Sequence, residues 1–563
     1  MSWKQHKRDQ QLLAQEKGYC RKAWGDKLTV CLAYPNAYRI GMANLGYQAV
    51  YSLLNDLPFC LCERVFFSPP GEGDAPRGKS PVSLESQKPL KEFDIIAFSI
   101  PFENDYPHVL ALLAGAGISL QASLRKDFEP LVMAGGIAVT LNPEPLSSFI
   151  DLFLIGEAEE ALPELAALYR EALIQGPDRR ELLFDVQRRV PGVYVPQLYS
   201  VSYRPDGTLE DVQPVDSSLP RKIRRRWEKD LSAFRTDQVI STPGSEFGDL
   251  FLAEVSRGCA RGCRFCAAGF VYRPVRFRRK EALEPSFVRG ISEGKRIGLL
   301  GTAVSDHPQL ADLCRCILEG GGTFALSSLR MDRVSAEMAG LLREAGVETV
   351  ALAPEAGTQR LRDVLNKGIS EDHIFSALEH LVQQGIRQIR LYFMVGLPTE
   401  TEADIEGLIR LTRKIRHQAL QLSKGKKPFR RITLSVNQFI PKPFTPFQWH
   451  PLEEVKDVKK KLRRIKKALH NEGPVQVFHD LPKWNYIQTL LSLGDRRVGQ
   501  ILAEVHQLEG NWSQALKKVP LNPDFYVYRP KGLSEFLPWD FIDHGIDKAV
   551  LIREYRKALS EYP

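Results

Sequence analysis

The sequence predicts an α/β protein with a Rossmann-like, doubly wound N-terminal domain, a central partial (β/α)6 barrel and a helical C-terminal extension. Two observations carry this. Short apolar runs alternate with helical stretches from residue 27 to about 190 and again from 249 to 440, which is the pattern of parallel sheets with crossover helices. Between them lies a stretch of different character, with paired extended segments, a tight turn and a run of basic residues. The domains are therefore drawn at 1–190, 191–245, 246–450 and 451–563.

Residues 1–26 are polar and read as helical or loose. LTVCLAYP, ERVFF, DIIAFSI, PLVMAGGIA and DLFLIG then read as strands, with crossover helices at Tyr47–Asn55 and His108–Ala116. Such sheets bind ligands at the carboxyl ends of their strands. After a helical stretch over 158–190, GVYVPQLYSVSYRPDGTLEDV reads as a small antiparallel piece turning at Pro205-Asp206-Gly207. A basic run, Arg221–Lys229, and a Pro/Gly-containing link at Ser241–Glu246 follow. FLAEVSRG, RIGLLGT, TFALSSL, TVALAP, IRLYFMVG and RITLSVNQFI are then six strands with helices between, and in such barrels the chemistry sits on the loops after the strands. Beyond 451 the pattern is helical.

Hydrophobic residues make up 43% of the chain and charged residues 26%, an ordinary globular balance that excludes disorder as the main state. The net charge of +9 permits an anionic partner without requiring one. No apolar run approaches the roughly 18 residues that would span a bilayer, and MSWKQHKRDQQ lacks the apolar core of a signal peptide. The expectation is a cytoplasmic protein with no membrane partner. In that reducing setting nine cysteines point to metal or redox chemistry rather than a disulfide framework.

The most specific feature is GCARGCRFCAAGF, in which Cys259, Cys263 and Cys266 are spaced C-x3-C-x2-C at the end of the first barrel strand. Three thiolates on one loop suit an iron–sulfur cluster. A structural zinc site would want four ligands, and no fourth Cys or His stands nearby at zinc-finger spacing. A four-iron cluster on three cysteines leaves one iron open, and Gly258 and Gly262 let the loop wrap tightly. Cys20, Cys31, Cys60, Cys62, Cys314 and Cys316 do not cluster this way and read as core or surface thiols.

This motif, with Phe265 before the last cysteine and six β/α units behind it, resembles the radical S-adenosylmethionine (SAM) superfamily. The resemblance implies a 4Fe-4S cluster on Cys259, Cys263 and Cys266, with SAM bound through its amino and carboxylate groups to the open iron. SAM would be cleaved reductively to methionine and a 5′-deoxyadenosyl radical, which takes hydrogen from a substrate. By position in the family pattern, Ser327 and Arg330 in LSSLRMD are candidates for contact with SAM, as is Glu355 in APEAG. Arg330 and Glu355 could alternatively pair with each other. Gly396 and Pro398 in FMVGLPTET would shape the adenine site, with Glu400 as its acidic residue. The Gly-Gly-Glu element that relatives carry after the second strand is replaced by LLGTAVSDHP.

The upstream sheet resembles the cobalamin-binding domain that precedes the barrel in one large radical SAM class, through MAGGIAVTLNPEPLSSFIDLFLIGEAEEALPEL. Cobalamin contacts implied by that resemblance are Gly135, Gly136, Gly156 and Glu157, with Glu160 following; Ser99 would meet the nucleotide tail or a corrin amide, and Tyr34–Asn44 would cover one edge. No Asp-x-His-x-x-Gly is present to supply a lower histidine ligand.

Arg221–Lys229, residues 424–431 and residues 456–467 are dense in positive charge and could follow phosphates, although Val455, Val458, Leu462, Ile465 and Leu469 fall on one helical face and leave the last run as its solvated side. NQFIPKPFTPFQW would cover the barrel mouth. Asp495, Arg496, Asp540, Asp543 and His544 are polar positions in the tail that either meet substrate or serve as caps. The expected activity is cobalamin-dependent methyl transfer or related radical chemistry, fed by an external electron donor, on a small-molecule or RNA substrate. The alternatives are a cobalamin-independent radical SAM enzyme acting on RNA or another anionic substrate, and a non-enzymatic redox-cluster sensor.

Overall fold

The structure, a computed structural model, describes residues 3–68, 80–176, 178–424 and 429–560. The chain divides into two compact units: Met1–Gly248 with Leu490–Tyr526 and Ser534–Gly545, and Asp249–Thr489 with Val527–Leu533 and Ile546–Pro563.

The first unit is built on six strands: β1 (Leu28–Tyr34), β2 (Cys60–Phe66), β3 (Ile95–Ser99), β4 (Leu131–Gly135), β5 (Leu152–Leu154) and β6 (Val193–Tyr194). Their spatial order is β2-β1-β3-β4-β5-β6, parallel except for β6. All seven residues of β1 are buried, as expected of a central strand with helices on both faces. The expected crossover helices are present at Leu45–Asp56 and Tyr106–Gly115. Asn44 starts the first by accepting a hydrogen bond from Tyr47 N. Reversal of strand order between β1 and β3 makes their carboxyl ends the switch point of a doubly wound sheet.

β7 (Tyr199–Tyr203) and β8 (Leu209–Pro214) form the expected antiparallel hairpin. Asp206 accepts from Thr208 N in its turn (2.9 Å), and Gly207 takes φ +84°. The next strand, β9 (Ile223–Arg224), pairs with the two-residue strand Ile542–Asp543, more than 300 residues later.

The second unit carries β10 (Leu250–Arg257), β11 (Arg276–Phe277), β12 (Arg296–Gly301), β13 (Phe324–Leu326), β14 (Thr349–Glu355), β15 (Gln388–Val395), β16 (Arg431–Gln438) and β17 (Val475–Phe478). They form two four-stranded sheets, β11-β10-β12-β13 and β14-β15-β16-β17. A bridge between Leu329 and Leu352 joins the sheets, with Leu329 N donating to Ala351 O at 2.8 Å. All pairs are parallel except β10–β11, and apart from β11 the spatial order follows chain order, so the six expected strands form an open β/α barrel. Buried Phe251, Leu299, Leu391 and Leu434 from its strands share one core with helix residues such as Leu313, Leu378 and Leu408. β17 extends this sheet beyond residue 451, where the sequence pattern is helical.

Candidate functional site

The loop that follows β10 starts with a forced turn. Gly258 has φ +83°, and a Cβ there would fall 2.2 Å from Tyr272 O, so no other residue fits this backbone. The chain then places Cys259, Cys263 and Cys266 in succession, all free of disulfides, with Cys263 buried and the other two half-buried. Arg261 N–H points at Cys259 Sγ (3.4 Å), and Cys266 N donates to Cys263 O (3.1 Å). Burial pushes the Cys266 thiol up to about 11, opposed by the Gly269 and Ala268 N–H groups. Burial also raises Cys263, opposed by Lys367 and Arg330. Each of these two thiols feels the charge of Cys259. Among the described residues no three ligating groups are placed to hold a single metal ion; a cuboidal cluster spreads its thiolates more widely. Three soft thiols on one turn, with N–H groups at two of them and the charges of Lys367 and Arg330 felt by Cys263, fit a 4Fe-4S cluster as donor set.

Between the second and third cysteines stands Arg264, with a side chain only 2% exposed. Its guanidinium donates to the carbonyls of Asp363 (3.0 Å) and Val364 (2.9 Å) at the end of helix Gln359–Val364, and to Glu554 Oε2 (3.0 and 3.1 Å) in the C-terminal helix Lys548–Ser560. Its backbone N donates to Leu365 O (3.0 Å), and its O accepts from Phe447 N (3.3 Å). Asn366 Nδ2 holds Gly262 O (2.9 Å), while the Phe265 ring packs on a cluster that includes Leu361, Leu397, Phe439 and Phe447. Composition and spacing give no sign of Arg264's role.

Around this loop the carboxyl ends of the strands carry paired charges. Glu355, last in β14, has φ +67° and accepts from Lys367 Nζ at 2.9 Å. Arg330 bonds Asp332 (3.0 Å) and Lys367 O (3.0 Å), so Arg330 and Glu355 pair with other residues rather than with each other. Ser327 follows β13 and is exposed. Arg261 of the cysteine loop reaches Asp306 (2.6 Å), which lies in the segment that replaces Gly-Gly-Glu. Gly396, after β15, has φ +76°, and a Cβ there would meet Glu453. Its N–H donates to Glu400 Oε2 (2.8 Å), while Lys461 bridges Glu400 and Glu453, each at 2.6 Å. Burial raises Glu400 to about 7 against the pull of Lys461. Pro398 is buried in this turn.

In the first unit, Ser99 and Gly135 end β3 and β4 and are half-buried. A Cβ on Gly135 would have only Leu154 O nearby, at 3.8 Å. At Gly136 it would fall 2.6 Å from Ile100 O, and at Gly156 2.2 Å from Arg226 O. The chain's own backbone therefore fills the space that these two glycines leave. Glu157 is buried and accepts from Glu228 N (2.9 Å), beside Arg225 (3.9 Å). His544, also buried, meets Thr140 O (3.1 Å), and burial drives it down to about 3. The Tyr34–Asn44 loop is pinned where Asn36 donates to Asp105 (2.8 Å).

Several polar expectations resolve into internal pairs. Arg226 bonds Glu160 and Glu164 (3.0 Å each) and Arg221 bonds Asp211 (2.9 Å), so much of the first basic run is neutralised. Asp495 pairs with Arg497 (2.6 Å), Arg496 with Glu144 (2.9 Å), Asp540 accepts from Leu537 N (2.9 Å) and Asp543 from Gly545 N (2.8 Å). Of the run at 424–431, residues 425–428 lie outside the described residues. Phe447 and Trp449, in the segment after β16, are fully buried.

Residues 46–196 match the family described as Radical SAM proteins, N-terminal, and residues 253–412 match the Radical SAM superfamily. The uncharacterized protein MJ0966 of Methanocaldococcus jannaschii is 32% identical over 481 residues, 84% of this chain and 90% of that protein. The uncharacterized methyltransferase PH0819 of Pyrococcus horikoshii is 23% identical over 293 residues, 50% of this chain and 58% of that protein. Among solved structures, the radical S-adenosylmethionine methyltransferase TsrM from Kitasatospora setae, with cobalamin and a [4Fe-4S] cluster bound, is similar with a TM-score of 0.46 at 14% identity, covering 73% of this chain and 72% of that one.

Proposed function

The chain belongs to the radical SAM superfamily, and we propose that it is a cobalamin-dependent methyltransferase of that superfamily. The observation that carries the reading is the loop after β10, where Cys259, Cys263 and Cys266 stand free at the carboxyl ends of the barrel strands, beside Arg330 and Lys367. When bound, the cluster supplies the electron that breaks a carbon–sulfur bond of SAM, and cobalamin supplies the methyl group. The protein's part is positioning and electrostatics. The three thiolates would hold the cluster, and the N–H groups of Arg261, Ala268 and Gly269 stabilise their charge. Arg330, Glu355 and Lys367 offer fixed charges of both signs to the carboxylate and ammonium of SAM. Gly396 and Pro398 form the tight turn offered to the adenine. Phe265 and Met394, packed against the Leu397–Phe439 cluster, exclude water behind the loop.

For cobalamin, the sheet order places a switch point at β1/β3. Ser99 and Gly135 are the two expected contacts that remain at accessible strand ends, and they would hold the cofactor. Gly136, Gly156 and Glu157 pack against the chain itself, which favours a corrin on the β1–β4 side. The name of the Pyrococcus relative supports methyl transfer. An external one-electron donor and a cytoplasmic setting belong to the same reading.

The test is to express the protein with cobalamin supplied, purify it without oxygen, and measure iron and cobalt in one sample. About four irons and one cobalt per chain are expected. Iron without cobalt overturns the cobalamin part and leaves a radical SAM enzyme of another reaction.

A further inference from the structure

The helix Val455–Leu469 links β16 to β17 and divides its charges between two flanks. Val458, Leu462, Ile465 and Leu469 face the core. On one flank Lys461 bridges Glu400 and Glu453, and Arg464 pairs with Glu402 and Glu406 of the neighbouring helix Glu402–Leu422. On the other flank stand Lys459, Arg463, Lys466 and Lys467, all exposed and with no acidic partner among the described residues. Their spacing of four, seven and eight puts them in one stripe. Because the neighbouring helix takes the opposite flank, this stripe is turned toward the edge strand of the sheet, β17.

The same edge ends in exposed rings. At the carboxyl end of β17, Phe478 is 58% exposed, and Trp484 in the next helix is 42% exposed. Asn485, beside Trp484, bonds Gln438 at the end of β16 (3.2 Å). Glu453, just before the basic helix, packs against Gly396 at the end of β15. The rings and the first turn of the helix thus stand at the strand ends where the site lies, and the stripe leads away from them.

We propose that this edge binds a single-stranded nucleic acid, with phosphates along the Lys459–Lys467 stripe and bases stacked on Phe478 and Trp484. Unpaired cations in a row follow a phosphate backbone, and exposed aromatic faces accept bases of any sequence. An acidic protein surface would engage the stripe but leave the rings unused. The inference that a base of this strand is the substrate rests on the radical SAM reading; the binding surface itself does not.

The experiment is fluorescence anisotropy of the full chain with a labelled single-stranded RNA, titrated across salt concentrations. Binding is expected to weaken as salt rises. Replacing Lys459, Arg463, Lys466 and Lys467 together by Gln should lower affinity at least tenfold and reduce the log–log salt slope by about 3. Phe478→Ala with Trp484→Ala should lower affinity roughly tenfold while leaving the slope unchanged. Circular dichroism establishes that each variant is folded. Absence of binding, variants that bind like the unaltered protein, or equal competition by polyglutamate would overturn the proposal, and a single-stranded DNA arm tells which sugar is preferred. Reductive SAM cleavage by the unaltered enzyme is measured separately, so failure of either reading is seen without the other.

Discussion

The guanidinium of Arg264 sits between the second and third cysteines and is clamped by Glu554 at 3.0 Å, from a helix that begins 284 residues further along the chain. Since Glu554 is 27% exposed, solvent screens the pair in part, and Glu554→Ala should cost about 1–2 kcal/mol. Its more informative effect is local. Without the clamp the loop opens, so Cys266 in the metal-free protein should be alkylated several-fold faster, and iron should be lost more readily on gel filtration. Arg264→Lys should not restore the loop, because an ammonium cannot make the forked contacts to two carbonyls and a carboxylate. Unchanged thiol reactivity in both variants would contradict the clamp.

Variants at Gly135 and Gly156 tell the proposed cofactor contact apart from chain packing. Gly156 has φ +113° and its Cβ position is filled by Arg226 O, so Gly156→Ala should destabilise by about 3 kcal/mol with or without cobalamin. Gly135 has a negative φ and an open Cβ position. Gly135→Ala should leave stability within about 1 kcal/mol but lower the cobalt retained. Chemical denaturation and cobalt analysis of the two variants check this; equal cobalt in Gly135→Ala and the unaltered protein would remove Gly135 from the contact surface.

Two carboxylates share the Lys461 ammonium, and burial lifts Glu400 from an ordinary value of 4.5 to about 7. With its folded value raised, Glu400 favours the native state most when protonated. That contribution is complete below about pH 4.5 and is lost as pH rises through 7. Compared with Glu400→Gln, the unaltered protein should lose stability between pH 5 and 8 by urea denaturation. A constant difference across that window would show that Glu400 stays ionised.

Much of this architecture is legible in the sequence because the local pattern and the tertiary role coincide. The runs at β10 and β12–β16 are apolar because buried parallel strands must be, and the cysteine spacing by itself sets the three thiols on one loop. β17 escaped notice because its four residues, VQVF, follow a polar turn and bury only Val475 fully. The pairing of Ile223–Arg224 with Ile542–Asp543 leaves no local signal, since two-residue strands have no periodicity to read. Gly156 shows a different difficulty. A glycine at a strand end announces that something comes close, but not whether it is a corrin or, as here, the backbone of Arg226. Arg264 looks like any charged residue in a loop until its partners, from 99 to 290 residues away, are in place.

In the proposed function, Cys259, Cys263 and Cys266 hold a cluster that cleaves SAM. The most direct test of this is to incubate the anaerobically reconstituted enzyme with SAM and dithionite and quantify 5′-deoxyadenosine by mass spectrometry, with Cys263→Ala alongside. We expect 5′-deoxyadenosine from the unaltered protein and none above background from Cys263→Ala. Intact SAM in the presence of a fully loaded, reduced cluster, or equal cleavage by Cys263→Ala, would contradict it.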